Sequence, residues 1–385
     1  MDAVETDAPE MMGRPYNPIG TEEYAALGKM FIGDPARPLS GYLAGKDRGG
    51  VYVQALENEW QQAFDVKHAI ACNSATSGLL AAAFAAGLKA GTAFICPAIT
   101  MTATAAAPMF TGARPVFCDI EDETFALNNI TPSYYVRAIF VTNLFGHPAR
   151  LQFLRQIADD TKTILIEDAA QSPFAVEHGR WAGTVGHIGV FSLNVHKHFH
   201  CGEGGMIVTN EDHLAWHMRG FINHYEHVFP RIGLNLRMPE TSAAIAIMQL
   251  RKGRKLVLDR REQALAILDA IGDVPGITLP AERTDCLSSW YIIPFLVEHH
   301  RAELCYALRH LGVPVTAGYQ TPLYRLGAFS RWKMDGCPVA EDLEDRRLFH
   351  IENCAHTFTS AEIERIGEAF KRAAEAIDAK APRRL

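Results

Sequence analysis

The sequence predicts an α/β protein: a mostly parallel central sheet flanked by helices, followed by a smaller C-terminal α/β domain. Two observations support this prediction. Short apolar runs recur along roughly the first 250 residues, and most are separated by segments long enough to form a helix. The length of 385 residues exceeds what one ordinary core holds and is sufficient for two domains.

The apolar runs are continuous, which is typical of strands that are covered by helices on both faces. Such strands belong in the middle of a helix–sheet–helix sandwich rather than in a sheet with one wet face. We expect strands at residues 69–71, 93–96, 116–118, 138–141, 164–166, 190–191 and 206–208.

Apolar residues at three- and four-residue spacing predict the helices. One apolar helix face is formed by Val53, Leu56, Trp60 and Phe64. A second helix is expected over residues 75–88, where two nearby glycines supply a stop. Further helices are expected over residues 239–258, 263–271, 301–311 and 360–379, with a strand near 291–297.

The pattern changes after the helix that is expected over residues 239–258. From there, helices and strands are fewer and less regular than in the repeated alternation before it. We therefore place a domain boundary within residues 250–262. The expected division is a large domain of residues 1–255 and a small C-terminal domain of residues 256–385.

Composition and charge exclude several classes of protein. The hydrophobic fraction of 48% and the charged fraction of 21% are those of a globular chain. The chain has 37 basic and 44 acidic residues, so its net charge is 37 − 44 = −7. Because the basic residues are scattered rather than clustered, nucleic acid is not an expected partner.

Membrane insertion and secretion are also not indicated. Residues 1–13 are acidic and polar, unlike a signal peptide. The most apolar region, residues 79–110, is interrupted by Lys89, Gly91 and Pro97 before it reaches the ~20 residues of a membrane helix. The eight cysteines contain no CxxC pair and resemble reduced, buried thiols. We expect a cytoplasmic protein.

The strongest local signal is the apolar run 164–166 that leads into Glu167 and Asp168. Asp168 then lies at a carboxyl edge of the sheet, where ligands of open α/β sheets bind. Lys197 lies in a loop between two later strands, so both side chains can converge on one crevice. The pair suits pyridoxal phosphate: Lys197 would hold its aldehyde as a Schiff base, and Asp168 would keep its pyridine nitrogen protonated. For an arbitrary pair of charged residues, a solvated surface position is the commoner outcome.

Several stretches match one family in the same order along the chain. They are residues 73–76, 97–104, 113–120, 145–148, 164–171, 192–205 and 233–238. Together they resemble the DegT/DnrJ/EryC1/StrS aminotransferases, which are fold type I pyridoxal-phosphate (PLP) enzymes. Members of this family mostly aminate keto groups of nucleotide-linked sugars. The resemblance is good over roughly residues 40–250 and weaker in the C-terminal part.

The resemblance implies a set of cofactor contacts. Ala75 and Thr76 open a helix whose free N–H groups and dipole attract the phosphate of PLP. Ser192 adds a hydroxyl to this phosphate site, and Gln171 contacts the ring face or the phenolic oxygen. Asn235 is expected to reach across from the other subunit, which makes the enzyme a homodimer with shared active sites.

The resemblance also implies a ping-pong aminotransferase reaction. An amino acid, by family habit glutamate, gives its amino group to the cofactor, which passes it to a keto-sugar. Lys197, freed from the aldehyde, moves the proton between substrate and cofactor, and burial should keep its pKa low enough for this task. Amino-sugar, polysaccharide or natural-product biosynthesis is the expected setting.

Some positions depart from the family pattern. Met101 occupies the place of an aromatic residue that stacks on the pyridine ring, although its polarizable sulfur can also pack on a ring. His196, His198 and His200 surround the lysine, but no fourth ligand lies nearby, and we expect no metal. Two further departures lie near the expected substrate pocket: Tyr324 stands where histidine is commoner, and residues 351–353 lack a proline-ending motif.

Three alternatives remain. A PLP-dependent sugar dehydratase of this family has histidine in place of the lysine; Lys197 argues against this reading, although two histidines flank it. A non-catalytic regulatory homologue would explain Met101, but the intact set of Asp168, Gln171 and Lys197 argues for chemistry. A nicotinamide enzyme is not indicated, because no G-x-G-x-x-G motif opens a helix after the first strands.

Overall fold

The computed structural model describes residues 10–33, 48–127, 130–225, 232–332 and 336–378. The helices in these ranges are α1 (Thr21–Gly33), α2 (Val51–Phe64), α3 (Ala75–Ala85), α4 (Thr102–Met109), α5 (Leu151–Thr161), α6 (Asp212–Ile222), α7 (Glu240–Ile271), α8 (Arg301–His310), α9 (Pro338–Asp342) and α10 (Ser360–Asp378). The strands are β1 (Arg14–Pro15), β2 (His68–Cys72), β3 (Ala93–Pro97), β4 (Arg114–Cys118), β5 (Val136–Thr142), β6 (Ile164–Asp168), β7 (Val176–Glu177), β8 (Arg180–Trp181), β9 (Ile188–Ser192), β10 (Gly205–Thr209), β11 (Ile277–Thr278), β12 (Cys286–Leu287), β13 (Ile293–Val297), β14 (Val315–Ala317), β15 (Leu348–Ile351) and β16 (His356–Thr357).

The large sheet has seven strands in the order β2-β10-β9-β6-β5-β3-β4. The four neighbouring pairs from β9 to β4 are parallel, and β10 runs antiparallel to both of its neighbours. The predicted mostly parallel sheet is therefore confirmed, and all seven expected strand positions lie in it. The antiparallel strand follows β9 directly, so the loop between them returns the chain to the sheet's carboxyl edge.

Helices cover both faces of this sheet, as the continuous apolar runs predict. In β2, Ile70 and Cys72 pack into a core shared with α3, α4 and α6. Ala69 and Ala71, which alternate with them, pack into a second core shared with α2 and α7. This alternation places the side chains of Ala69 to Cys72 in two separate cores, which is why all four of these positions are apolar.

Helix α7 is longer than expected. The sequence suggested two helices, over residues 239–258 and 263–271, but the structure has one helix of 32 residues without the expected break. The charged residues at the expected break do not end the helix because Arg260 is buried, stacks on Tyr16 and donates to the carbonyl of His356. The helix passes through residue 255, and the expected domain boundary there stays a prediction. Helix α3 ends at Ala85, three residues earlier than expected.

The C-terminal part contains a four-stranded antiparallel sheet in the order β11-β13-β15-β14. Its core includes Phe295, Phe349 and Phe370, and the last half of α7 supplies Ile267 and Ile271 to the same core. The first half of α7 belongs to the core beneath the large sheet. No helix in the described ranges combines the length and apolar character needed to cross a bilayer.

Candidate active site

A cavity of about 360 Å³ lies at the carboxyl end of the parallel strands. The last residues of three adjacent strands line it: Thr142 of β5, Asp168 of β6 and Ser192 of β9. Of the eight residues expected at the site, the structure brings seven to this cavity: Ala75, Thr76, Met101, Asp168, Gln171, Ser192 and Lys197. The eighth, Asn235, lies outside it, exposed, in an isolated bridge to Asn223.

Asp168 is 5% exposed, and hydrogen bonds hold both of its oxygens. Thr104 donates its hydroxyl to Oδ2 at 2.7 Å, and the Ala170 N–H donates to Oδ1 at 3.2 Å. Burial raises the pKa of Asp168, while these bonds and the nearby Lys197 oppose the rise. The carboxyl group is therefore fixed in place at the strand end with one face toward the cavity.

Lys197 is half-buried, and its loop is held by the backbone bond from Val195 N–H to Gly202 at 2.9 Å. The Nζ atom lies 4.4 Å from the ring centroid of Tyr291. Burial lowers the pKa of Lys197 to about 8, although Asp168 pulls it upward. A buried ammonium loses its hydration, so the neutral amine is far more populated here than on a surface lysine. The neutral amine is the nucleophilic form.

The start of α3 offers free backbone donors to the cavity. Ser74 caps the helix by accepting from the Ser77 N–H at 3.1 Å. The N–H groups of Ala75 and Thr76 make no hydrogen bond within the described ranges. Gly205, opposite, approaches so closely that a Cβ there would lie 2.6 Å from the Ala75 nitrogen. Only a glycine lets β10 pack this closely against the start of α3, whose unpaired donors and helix dipole face the cavity.

Gln171 is held by two hydrogen bonds that link the large sheet to the C-terminal part. Its Oε1 accepts from the Phe145 N–H at 2.7 Å, and its Nε2 donates to the Tyr319 hydroxyl at 2.9 Å. Phe145 has a positive φ of 59°, which turns its N–H toward the glutamine. Both partners fix the orientation of the amide, whose flat side is available to a bound ring.

Met101, at the start of α4, is 52% exposed and lines the cavity. Its sulfur accepts from the Ala103 N–H at 3.1 Å, which holds the side chain over the first turn of the helix. Met101 therefore borders the cavity, and its expected packing against the pyridine ring stays a prediction. Because the Met101 side chain is half exposed, the surface of another protein chain could cover it.

The structure adds site residues that the sequence did not single out. Tyr291 lies against Lys197, although 94 residues separate them along the chain (291 − 197 = 94). Thr142 and Thr100 extend the bond from Thr104 to Asp168 into a chain of hydroxyls. Thr100 and Thr104 lie in the matching stretch 97–104, but nothing in that stretch shows that they bond toward Asp168. Tyr291 and Thr142 lie in no such stretch and join the site only through the fold.

The histidines around Lys197 have different environments. His198 is fully buried and its Nε2 bonds to the Ser289 carbonyl at 2.8 Å, while His196 is exposed at the cavity edge. Within the described residues, the one group of potential metal ligands that lie close together is Glu177, His178 and Asp285. Glu177 there already pairs with an arginine at 2.8 Å, and none of the three histidines belongs to the group.

A second cavity of about 450 Å³ adjoins the first and shares His196, Tyr291 and Tyr319 with it. Tyr16 and Glu352 also line this cavity. Of residues 351–353, which depart from the family pattern, Glu352 therefore lines a cavity next to the one that holds Lys197. Tyr324 does not: it is buried, packs on Phe117 and donates to Glu341 at 2.6 Å.

Comparison with known proteins supports this geometry. The model of the DegT/DnrJ/EryC1/StrS aminotransferase family matches residues 44–371. GDP-perosamine synthase from Escherichia coli O157:H7 is 29% identical over 309 residues, which are 76% of this chain and 83% of that protein. A UDP-N-acetyl-3-dehydro-alpha-D-glucosamine 3-aminotransferase from Acidithiobacillus ferrooxidans is 30% identical over 314 residues, 77% of this chain and 82% of its own.

The fold is shared with solved structures over nearly the whole chain. DesI, solved in the presence of its TDP-sugar product, has a TM-score of 0.83 and 26% sequence identity to this protein. The similarity covers 97% of this chain and 95% of DesI. The resemblance that the sequence motifs indicated over roughly residues 40–250 thus extends through the C-terminal part.

Proposed function

Because the chain belongs to the DegT/DnrJ/EryC1/StrS aminotransferase family, we propose that it transfers an amino group from an amino acid to a nucleotide-linked keto-sugar with PLP as cofactor. The observation that carries the proposal is the single cavity that holds Lys197, Asp168 and the open start of α3. A reactive amine, a carboxylate and a phosphate-binding helix start are the three groups that PLP requires.

The residues present fit this cofactor. The free N–H groups of Ala75 and Thr76, with the Ser192 hydroxyl, line one end of the cavity and suit its phosphate. Asp168 suits the pyridine nitrogen, and the flat amide of Gln171 suits the ring. When bound, PLP supplies an aldehyde that captures amines and a ring that withdraws electrons.

Lys197 attaches the cofactor and then serves as the proton carrier at its Nζ atom. A pKa of about 8 lets the amine both accept and donate a proton near neutral pH. Tyr291 holds the Nζ atom at one side of the cavity through its ring face. The lysine therefore does not swing freely, and the proton is delivered within a narrow range of positions.

The second cavity, which opens beside Lys197, is the place for the sugar. Its tyrosines offer hydroxyls and ring faces, and His196 and Glu352 offer polar contacts of the kind that hydroxylated substrates need. Relatives named for GDP-, UDP- and TDP-linked sugars support a nucleotide-linked acceptor. Glutamate is the amino donor in this proposal.

The enzyme acts as a homodimer in which Asn235 serves the neighbouring subunit. Asn235 is exposed and does not line the cavity of its own chain, and Ile232 and Leu234 beside it are exposed apolar residues. A second copy would cover them, and would also cover the half-exposed Met101.

The proposal is tested by following the cofactor. We expect the purified protein with PLP to turn yellow, glutamate to shift its absorbance to that of the amine form, and a keto-sugar to restore the aldehyde form. Borohydride should fix PLP to the protein in wild type and not in Lys197→Arg or Lys197→Ala. A protein that binds PLP but never responds to any amino acid would favour the regulatory alternative, and absence of a borohydride adduct would favour the dehydratase.

Subunit mixing tests the shared site. Lys197→Ala and Asn235→Ala homodimers should each be poorly active or inactive. Refolding them together creates a hybrid in which one site has Lys197 from one chain and Asn235 from the other, so activity should return to about one quarter of wild type for random pairing. If Asn235 served its own chain, every site in the mixture would carry a defect and activity would stay low.

A further inference from the structure

A chain of three buried hydroxyls leads to Asp168. The Thr104 hydroxyl lies 2.7 Å from Asp168 Oδ2, Thr100 lies 2.8 Å from Thr104, and Thr142 lies 2.9 Å from Thr100, each measured between the oxygens. Thr100 and Thr104 are fully buried, and Thr142 is 3% exposed. Their bonds are therefore made in a region from which bulk water is excluded.

The sheet itself assembles this chain. Thr142 and Asp168 are paired across the parallel strands β5 and β6. Thr100 and Thr104 follow the next strand, β3, which is parallel to β5. Three adjacent strands thus bring their carboxyl ends together, and each contributes a hydroxyl or the carboxylate.

Each hydroxyl has a single proton to donate, and this sets the donor and the acceptor of every hydrogen bond in the chain. A threonine hydroxyl has one proton, so Thr104, which donates to Asp168, must accept from Thr100. Thr100 has then used its own proton and must accept from Thr142. All three O–H dipoles point toward the carboxylate, and aligned hydrogen bonds strengthen one another.

We propose that Thr104, backed by Thr100 and Thr142, is a positioning residue that keeps Asp168 ionised despite its burial. The proposal rests on the proposed function only where the pyridine nitrogen of PLP is concerned. An ionised Asp168 can accept a hydrogen bond from the protonated pyridine nitrogen of PLP. A neutral carboxyl group would instead compete with that nitrogen for the proton. The other titratable groups that face Asp168 are Lys197 and Tyr319, and Lys197 works in the same direction as the hydroxyls.

The test measures Asp168 itself in the full-length protein before PLP is added. Carbon-13 carboxyl NMR, with the Asp168→Asn variant to assign the signal, gives its pKa. We expect Thr104→Val to raise that pKa by about one unit, Thr100→Val to raise it less, and Thr142→Val least. Thr104→Ser, which restores the hydroxyl, should return the pKa to the wild-type value.

The order of these shifts is what a merely structural role would not produce. If all three valine variants lowered the melting temperature but left the Asp168 pKa within about 0.2 units of wild type, the proposal would be wrong. A shift of equal size in Thr104→Ser and Thr104→Val would also contradict it, because packing rather than the hydroxyl would then be responsible.

A second readout uses PLP that carries nitrogen-15 in the ring. In wild type the ring nitrogen should stay protonated to higher pH than in Thr104→Val, and Thr104→Ser should match wild type. If the protein bound no PLP at all, the proposed function would fail while the carbon-13 result still decided the role of the hydroxyls. If PLP bound but its nitrogen titrated identically in all variants, the hydroxyl chain would have no role toward the cofactor.

Discussion

Glu167 and Asp168 are adjacent buried carboxyl groups on one strand, and they face opposite sides of it. Glu167 accepts four hydrogen bonds from donors that cannot reverse: the N–H groups of residues 183, 185 and 186 and the amide of Asn143. Asp168 accepts from one N–H and from the Thr104 hydroxyl, which can turn around. Burial raises the pKa of both groups.

This difference separates a structural acid from a functional one. Glu167 fixes the segment before β9 against β6, and its charge has no contact with the cavity. Asp168 lines the cavity, and its hydroxyl partner, unlike an N–H group, can rotate to accept a hydrogen bond if a donor replaces the carboxylate.

Replacing Lys197 by alanine should abolish amino transfer. We expect a loss of at least about 10³-fold in turnover, since both the attachment of the cofactor and the proton carrier are removed. The free energy of unfolding should not fall, because a poorly hydrated cation is removed from a confined site. Turnover and chemical denaturation, compared with Arg254→Ala as a surface control, check both statements. A variant that kept a tenth of wild-type turnover would refute the assignment of Lys197.

Replacing Asp168 by asparagine should reduce turnover by about 10²- to 10⁴-fold while leaving stability nearly unchanged. The new amide can donate to Thr104, and the three hydroxyls can reverse their direction, so no buried donor is left without an acceptor. The melting temperature and the rate of the glutamate half-reaction measure the two effects. A large loss of stability would show that the hydroxyls are not free to reverse.

Replacing Glu167 by glutamine should have the opposite result. One oxygen becomes an NH₂ group that faces two N–H donors, which leaves buried donors unpaired and costs about 2–4 kcal/mol of unfolding free energy. Turnover per folded molecule should stay within a few-fold of wild type, because the cavity residues do not change. Urea denaturation, with the exposed Glu298→Gln as control, gives the first value. If Glu167→Gln and Asp168→Asn unfolded with equal free energies, Glu167 would not differ from Asp168 as a structural acid.

The smallest effect concerns pH. Burial lowers the pKa of Lys197 to about 8 from the 10.5 of a free lysine. Between these values the folded protein without PLP has lost the proton that the unfolded chain still binds, so its stability should rise with pH relative to Lys197→Met. Below about pH 8 the variant should be the more stable of the two, and the gap should close as pH rises toward 10.5. A gap that is constant over this range would contradict the lowered pKa.

The sequence was sufficient to predict the sheet and the two central residues. Continuous apolar runs mark each strand of the large sheet, and the acid after the run 164–166 and the lysine in the loop after β9 can be found from their order along the chain. The strand signals are local, because the residues that define each one are neighbours in sequence. The spacing of Asp168 and Lys197 alone does not separate them from a solvated pair, and it is the resemblance to a known family that singles them out.

The features that were missed depend on contacts between distant segments. Tyr291 reaches Lys197 from the start of β13, and the hydroxyl chain joins Thr100 to Thr142 across 42 residues. The break expected between residues 258 and 263 is absent, and Arg260 within it is accommodated by carbonyl groups from residues 353 and 356. Propensity and spacing carry no information about such partners, because the partners are set by tertiary packing.

Helix α7 supplies side chains to the core beneath the large sheet with its first half and to the C-terminal core with its second half. Cutting the chain at residue 255 would divide α7, and each fragment would carry an incomplete part of the helix with its apolar side chains. The two halves are therefore not exchangeable modules. A chimaera with a relative should join the chains before Glu240 or after Ile271, so that the whole helix comes from a single parent.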